Sequence, residues 1–173
     1  MPSCPRCALL ALVLSFLAFT GCDTNNPGSG LDEVAGTYTA TTFRFEPEAP
    51  TITDVDVLAG LRDGALTVEI FADGQMTLSF EPLGGVRQLV TGTARASSRT
   101  VTLAGRTDAD AERMALLLLQ PSVSFARDDL APNRLTASLL LAGVNLEEYD
   151  PAGYPGLTAV RGRLEITLER TAD

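Results

Sequence analysis

The stretch ALTVEIFADGQMTLSFEP, from Ala65 to Pro82, decides the structural class of this sequence. Apolar and polar residues alternate on both sides of its centre, and such alternation is typical of half-buried β-strands. The apolar positions are Leu66, Val68 and Ile70 before the centre and Met76, Leu78 and Phe80 after it. The centre is Asp73-Gly74, a dipeptide that favours tight hairpin turns. The stretch therefore predicts an antiparallel β-hairpin.

Further strands are predicted on both sides of this hairpin. Upstream, GTYTATTFRF (Gly36–Phe45) is rich in threonine and aromatic residues, which favour strands. Downstream, Leu89–Gly105 reads as a second hairpin turning at Ser97-Ser98, and Gly92 within it indicates a bulge or a close backbone approach. The remaining predicted strands are Ser122–Asp128, Arg134–Gly143 and the alternating segment Leu157–Arg170.

About eight strands joined mostly by short loops predict an all-β fold, namely an antiparallel up-and-down barrel. Closure of the barrel leaves no sheet edge exposed to other chains. A β-sandwich is the alternative architecture.

One helix interrupts the strands. The segment Thr107–Pro121 begins with capping residues and acids and ends at a proline, which predicts a helix over Asp108–Leu119. Its last part, Met114–Leu119, is apolar on all sides, so a buried strand is an alternative there. The acids in its first turn lack the glycine and glutamate of a calcium-binding loop, and they are interpreted as favourable charges at a helix N-terminus.

The start of the chain has the pattern of a signal peptide. Arg6 precedes Ala8–Thr20, an apolar run of about 13 residues, shorter than the ~20 that a membrane-spanning helix needs. Residues 1–21 are therefore predicted to be a signal peptide, with an uncleaved membrane anchor as the alternative.

Phe19-Thr20-Gly21-Cys22 resembles the lipobox of bacterial lipoproteins, although Phe19 stands where leucine is usual. The resemblance implies cleavage before Cys22, a lipid on Cys22 and attachment to a membrane of the bacterial cell envelope. Residues 22–33 then form a flexible tether, and residues 34–173 form the barrel domain. Asp23 resembles an inner-membrane retention signal of enteric bacteria, but the choice between inner and outer membrane stays open.

The composition excludes several classes of function. The chain has no histidine, and all 13 basic residues are arginines. Histidine-based catalysis, histidine metal sites and Schiff-base lysines are therefore excluded. Of the three cysteines, Cys4 and Cys7 lie in the predicted signal peptide and Cys22 is the lipid attachment point, so neither a disulfide nor a metal is expected, and no cofactor is predicted. The net charge of −9 argues against binding to nucleic acid.

The barrel domain resembles the lipocalin-like small barrels of bacterial lipoproteins. The resemblance depends on the opening LDEVAGTYTATTF, the hairpin FADGQMTLSF and the closing GRLEITLER, with Tyr38 where lipocalins usually have tryptophan. It implies an interior that is filled by side chains or shared with a small ligand.

Two long connections, Glu46–Leu61 and Val144–Gly156, are predicted to frame the mouth of such a barrel, because long loops often carry function. The candidate ligand-mouth residues in the second connection are Tyr149, Tyr154, Glu147 and Glu148. The simpler interpretation of these acids is a solvated turn.

The leading hypothesis is a non-enzymatic, lipid-anchored envelope protein that binds a small apolar ligand in the barrel. The alternative is a structural or protein-interaction module that docks another envelope protein. A hydrolase is a third and weaker option, which would require a pair of acids in a cleft. A cavity lined by apolar side chains favours ligand binding, whereas a packed interior with an exposed apolar patch favours a protein partner.

Overall fold

Nine strands account for most of the computed structural model, which describes residues 30–128 and 130–171. The strands are β1 (Gly36–Pro47), β2 (Val55–Asp56), β3 (Leu61–Ile70), β4 (Gln75–Pro82), β5 (Gln88–Ala96), β6 (Thr100–Gly105), β7 (Ser122–Asp128), β8 (Ala131–Val144) and β9 (Val160–Arg170). The helices are α1 (Leu31–Val34), α2 (Asp108–Ala115) and α3 (Leu146–Tyr149), and a 3-10 turn covers Leu58–Gly60.

Eight of these strands close into a barrel. From β3 to β9 each strand pairs antiparallel with the next one along the chain. β1 pairs with β3 through its first residues and with β9 along almost its whole length, from Tyr38↔Arg170 to Pro47↔Gly162. β2 is a short extra strand against the end of β1. The predicted up-and-down barrel is confirmed, and the β-sandwich alternative is wrong because the first and last strands are hydrogen-bonded to each other.

The central hairpin forms as predicted, with β3 and β4 on either side of the Asp73-Gly74 turn. Gly74 has φ +83°, a conformation that glycine adopts without strain. All six apolar positions of the hairpin point into the barrel and are at most 4% exposed. Register is fixed by this alternation, because a slip of one residue would expose the whole apolar set.

β1 contains a bulge that shifts its alternation. Tyr38 and Ala40 are buried, but after the register shift between Ala40 and Thr42 the buried residues are Phe43 and Phe45. An extra residue in one strand moves the following side chains to the opposite face. Because of the bulge, the inward-facing residues of β1 have even numbers before it (Tyr38 and Ala40) and odd numbers after it (Phe43 and Phe45).

Gly92 confirms the predicted close approach in β5. A Cβ atom at this position would lie 2.2 Å from the Ala104 carbonyl oxygen and 2.3 Å from the Met76 methyl group. Only glycine lets the strand pass this close to its neighbour and to the core.

The two ends of the barrel differ in their connections. The short-turn end carries the turns between β3 and β4, between β5 and β6, and between β7 and β8. The long-loop end carries the connections 48–60, 83–87, 106–121 and 145–159. α1 lies at the short-turn end, where Leu31 and Val34 are buried and the Tyr38 hydroxyl donates a hydrogen bond to the Val34 carbonyl at 2.9 Å.

The predicted helix over Asp108–Leu119 is correct in its start but ends four residues early. α2 stops at Ala115, and the chain turns through a Schellman motif: the Leu118 and Leu119 amides donate to the carbonyls of Ala115 and Met114. Leu118 takes the left-handed position of this motif, φ +59°, which glycine usually occupies. The last four residues, 116–119, therefore form neither a helix nor a strand, and both predictions are wrong for them.

The predicted loop Val144–Gly156 contains one helical turn, α3, and the connection Glu46–Leu61 contains β2 and the 3-10 turn. β8 begins at Ala131 rather than at Arg134. The end of the predicted tether, residues 31–33, lies in α1 and packs on the barrel.

The predicted signal peptide, Cys22 and the rest of the tether lie outside the described residues. Within 30–128 and 130–171, no helix combines the length and the apolar character needed to cross a bilayer. The buried apolar residues, from Leu31 to Leu168, form one continuous cluster inside a closed barrel. The described segment thus carries its own complete core, which an independently folding domain requires.

Candidate functional site

The interior of the barrel is filled by side chains. A residual void of about 20 Å³ remains, and its walls are apolar, from Phe43 and Val68 to Phe125 and Leu168. A space of this size has room for about one water molecule and offers it no polar partner. Among the described residues, the void inside the barrel is therefore too small for a small-molecule ligand.

The long-loop end holds a cleft of about 900 Å³. This volume is within the range of known ligand sites. Both connections that were predicted to frame the mouth, Glu46–Leu61 and Val144–Gly156, contribute to its walls. The α2 connection (residues 106–121) and the start of the β4–β5 loop complete it. The apolar side chains that line the cleft include Leu61, Phe80, Leu83, Leu116, Leu118 and Leu141.

The α2 connection separates the cleft from the barrel interior. On its inner side, Met114 and Leu119 are buried and reach the residual void. On its outer side, Leu116 is 50% exposed and lines the cleft together with Leu118. The connection thus acts as the floor of the cleft and as a plug for the barrel.

Asp110 fixes the position of α2. It is 4% exposed and forms a capping box with Thr107, whose hydroxyl lies 2.7 Å from the carboxylate. The same carboxylate accepts a hydrogen bond from the Thr91 amide of β5 at 3.1 Å. The hydrogen bonds from Thr107 hold the pKa of Asp110 below its usual 3.8, against the opposing effect of burial. The start of α2 is therefore tied directly to the barrel wall.

α3 and the 3-10 turn hold the opposite walls of the cleft together. The Asn145 side chain caps α3 by accepting from the Glu148 amide at 3.1 Å. From the end of α3, the Tyr149 hydroxyl donates to the Val57 carbonyl at 3.4 Å. A Cβ atom on Gly60 would lie 2.6 Å from this hydroxyl, so the glycine makes room for the tyrosine.

Both cleft tyrosines remain protonated well above neutral pH. Burial, followed by the electrostatic effects of Asp56, Tyr154 and Asp150, raises the pKa of Tyr149 to about 12. Burial also raises the pKa of Tyr154, with smaller contributions from Asp150 and Asp54. Two neutral tyrosine side chains therefore line the cleft.

The charge around the cleft is of one sign. Its charged lining residues are Asp56, Glu112, Glu148 and Asp150, and the described residues that line it include no arginine. Six ion pairs join arginines to other acids of the described chain, and none of them includes a cleft carboxylate. The cleft therefore combines an apolar floor with uncompensated negative charge at its walls.

Three of the four ligand-mouth candidates lie in this cleft, namely Tyr149, Tyr154 and Glu148. Glu147 is on the same helical turn but does not line the cleft. Asp56 and the outer face of the α2 connection also line the cleft, and neither was predicted from the sequence. Asp56 lies within Glu46–Leu61, so the length of this connection could have indicated it. Leu116 and Leu118 lie in an apolar run that predicts a buried helix or strand, so nothing in the sequence indicated that they line a cleft.

The acids of the cleft do not form a metal site. Within the described ranges, no three acidic or cysteine side chains come together at a spacing that could hold a metal ion. Several of the carboxylates have local structural partners instead: Asp56 accepts from the Leu58 amide at 3.0 Å, and Asp150 accepts from the Gly153 amide at 3.0 Å.

No protein-family model matches this chain, and no curated protein matches it. Among solved structures, it is similar to an uncharacterized protein from Bacteroides eggerthii DSM 20697. The identity is 9% and the TM-score is 0.38, over 79% of this chain and 98% of the other.

Proposed function

We propose that this chain is a lipid-anchored cell-envelope protein that binds a small, partly apolar ligand in the cleft at the long-loop end of its barrel. The observation that carries the proposal is the contrast between the filled interior and the cleft of about 900 Å³. A ligand with an apolar portion would cover Leu116 and Leu83, which are 50% and 64% exposed. Such exposed leucines around a concave surface are typical of binding sites.

The proposal includes anchoring through Cys22 and no catalytic role. Two of the four cleft carboxylates, Asp56 and Asp150, accept hydrogen bonds from backbone amides of their own turns, which gives them a structural role. The lipobox resemblance supports the anchor, and two or three acyl chains together hold a protein firmly on a membrane.

The alternative, a module that docks another envelope protein, is favoured by the same exposed leucines together with Val86, which is 72% exposed on the β4–β5 loop. Contiguous apolar patches also mark protein interfaces.

Native mass spectrometry of residues 30–173, purified without detergent, tests the ligand proposal. We expect an added mass that organic extraction removes, or binding of decyl maltoside as a neutral amphiphilic probe. Leu116→Asp should weaken the binding at least about tenfold, because it places a charge against the apolar part of the ligand. The matched control is Leu130→Asp, since Leu130 is 94% exposed at the opposite end of the barrel. A clean mass with no probe binding contradicts the proposal and favours a protein partner.

Metabolic labelling with an alkynyl fatty acid tests the anchor. We expect the full-length chain, expressed in a bacterial host, to incorporate the label and to fractionate with membranes. Cys22→Ser should lose both properties, because it removes the sulfur to which the lipid would be attached. Equal labelling of the two proteins would contradict the proposed anchor.

A further inference from the structure

The charged side chains that line the cleft are all carboxylates: Asp56, Glu112, Glu148 and Asp150. Arg44, Arg62 and Arg161 pair with acids on the barrel wall and in the first long connection. Around the cleft, Asp56, Glu112, Glu148 and Asp150 have no such partner among the described residues. Like charges that are left uncompensated around a concave, partly apolar surface create a negative potential there.

This potential opposes anionic amphiphiles. A fatty acid or a phosphate ester that placed its chain on the leucines of the floor would bring its head group within reach of the carboxylates. No arginine among the described lining residues could neutralise it. Juxtaposed like charges cost binding free energy, so the cleft disfavours this class.

A bare metal ion does not fit the arrangement either. The carboxylates surround a cleft of about 900 Å³, and no three of them converge at ligand spacing in the described residues. Charges distributed in this way suit a cation that is itself large and is attached to an apolar body.

The two tyrosines add a second kind of contact with a cation. Tyr149 and Tyr154 line the same cleft with neutral phenols, and burial and nearby carboxylates raise the pKa of both further above neutrality. Aromatic faces attract organic cations, and quaternary ammonium groups are commonly recognised by such residues.

We propose that the cleft is selective for amphiphilic organic cations, whose apolar body lies on the Leu116 and Leu118 floor and whose positive group lies among the carboxylates and tyrosines. This inference depends on the proposed ligand-binding function and specifies the chemical class of the ligand. The geometry assigns Glu112 to the α2 side of the cleft and Glu148 to the α3 side.

The experiment compares three probes with the same decyl chain: decyltrimethylammonium, decyl maltoside and decane sulfonate. Each is titrated by calorimetry into residues 30–173 below its micelle concentration. We expect the cation to bind about tenfold more tightly than the neutral probe, with the sulfonate weakest. The advantage of the cation should shrink as sodium chloride is added, because salt screens exposed charges.

Charge-removing variants locate the effect. Glu112→Gln and Glu148→Gln should each weaken binding of the cation about twofold to fivefold and leave binding of decyl maltoside unchanged. Glu69→Gln is the matched control, since Glu69 is an exposed acid on β3, near the short-turn end. An equal effect of Glu69→Gln would overturn the inference, because the preference would then reflect the net charge of the whole protein.

The outcomes separate this inference from the proposed function. If all three probes bind with equal affinity, or if the sulfonate binds most tightly, cation selectivity is wrong and ligand binding stands. If no probe binds, both proposals are wrong. If the cation binds most tightly and both cleft variants reduce its affinity, both are supported.

Discussion

Asp110 shows how one buried carboxylate determines the floor of the cleft. It accepts hydrogen bonds from Thr107 and from the Thr91 amide, and it lies 3.3 Å from the Arg113 guanidinium. Without it, the amides of Thr91 and Thr107 would lose the carboxylate acceptor that Asp110, itself 4% exposed, supplies. The α2 connection is therefore held to β5 by a polar anchor as well as by apolar packing.

We expect Asp110→Ala to lower the free energy of unfolding by about 1–3 kcal/mol, through loss of the capping box and of the Thr91 hydrogen bond. Urea titration followed by far-ultraviolet circular dichroism measures this change. Asp108→Ala is the control on the same helical turn, because Asp108 is exposed and contributes only its interaction with the helix dipole, below about 1 kcal/mol. Equal losses for the two variants would contradict the anchoring role of Asp110.

The same residue predicts a pH dependence. The pKa of Asp110 is lower in the folded protein than its usual 3.8, so the ionised form stabilises the fold. This contribution is complete above the unfolded pKa and is lost as the pH falls through the lower, folded pKa. The stability difference between the wild type and Asp110→Asn should therefore be constant near neutrality and shrink below pH ~4. A difference that grows on acidification would contradict the assignment.

At the scale of elements, the α2 connection is the feature that turns an open barrel into a filled one. Met114 is 1% exposed and lies against the residual void, and the Schellman turn brings Leu119 back to the same interior. The connection thereby removes the interior as a ligand site and offers its outer face to the cleft.

Met114→Ala should cost about 2–5 kcal/mol in the free energy of unfolding, because it enlarges an apolar void that the closed barrel cannot fill by collapse. It should also create an interior site for a small apolar dye. Leu116→Ala, on the outer face of the same connection, should cost less than about 1 kcal/mol. Similar costs for the two variants in urea titrations would show that the connection is not a plug.

Secondary-structure elements are predicted correctly from the sequence where their pattern lies within a few neighbouring residues, and less well where it depends on distant parts of the chain. Alternation and the Asp73-Gly74 turn are enough for the central hairpin, and the close approach at Gly92 follows from a glycine inside a strand. The end of α2 could not be predicted, because Leu118 takes a left-handed position that glycine would have signalled. The bulge in β1 likewise depends on pairing with β9, at the other end of the chain.

At the scale of the whole molecule, barrel closure was predictable from the number and spacing of the strands, but the content of the barrel was not. Inward-facing apolar residues are compatible with a hollow barrel and with a filled one. Whether the interior is filled depends on whether the α2 connection folds back into it. Part of the cleft was predictable from loop length, since Glu148, Tyr149 and Tyr154 lie in it. Its acidic character arises from separate connections that only the fold brings together.

The two ends of the molecule have different roles in the proposed arrangement. α1, which follows the predicted tether, lies at the short-turn end, and the cleft lies at the long-loop end. A chain anchored through Cys22 would therefore hold the cleft away from its membrane. This orientation suits capture of a ligand from the surrounding compartment rather than from the anchoring bilayer.

The central claim is that ligand binds in the cleft and not inside the barrel, and amide chemical shifts test it most directly. In a titration of ¹⁵N-labelled residues 30–173 with decyltrimethylammonium, the account predicts saturable shifts at Gly60, Gly143 and Tyr149. The amides of interior positions such as Val68 and Leu103 should not move. Shifts concentrated on the interior strands, or no saturable shifts at the cleft, would contradict the account.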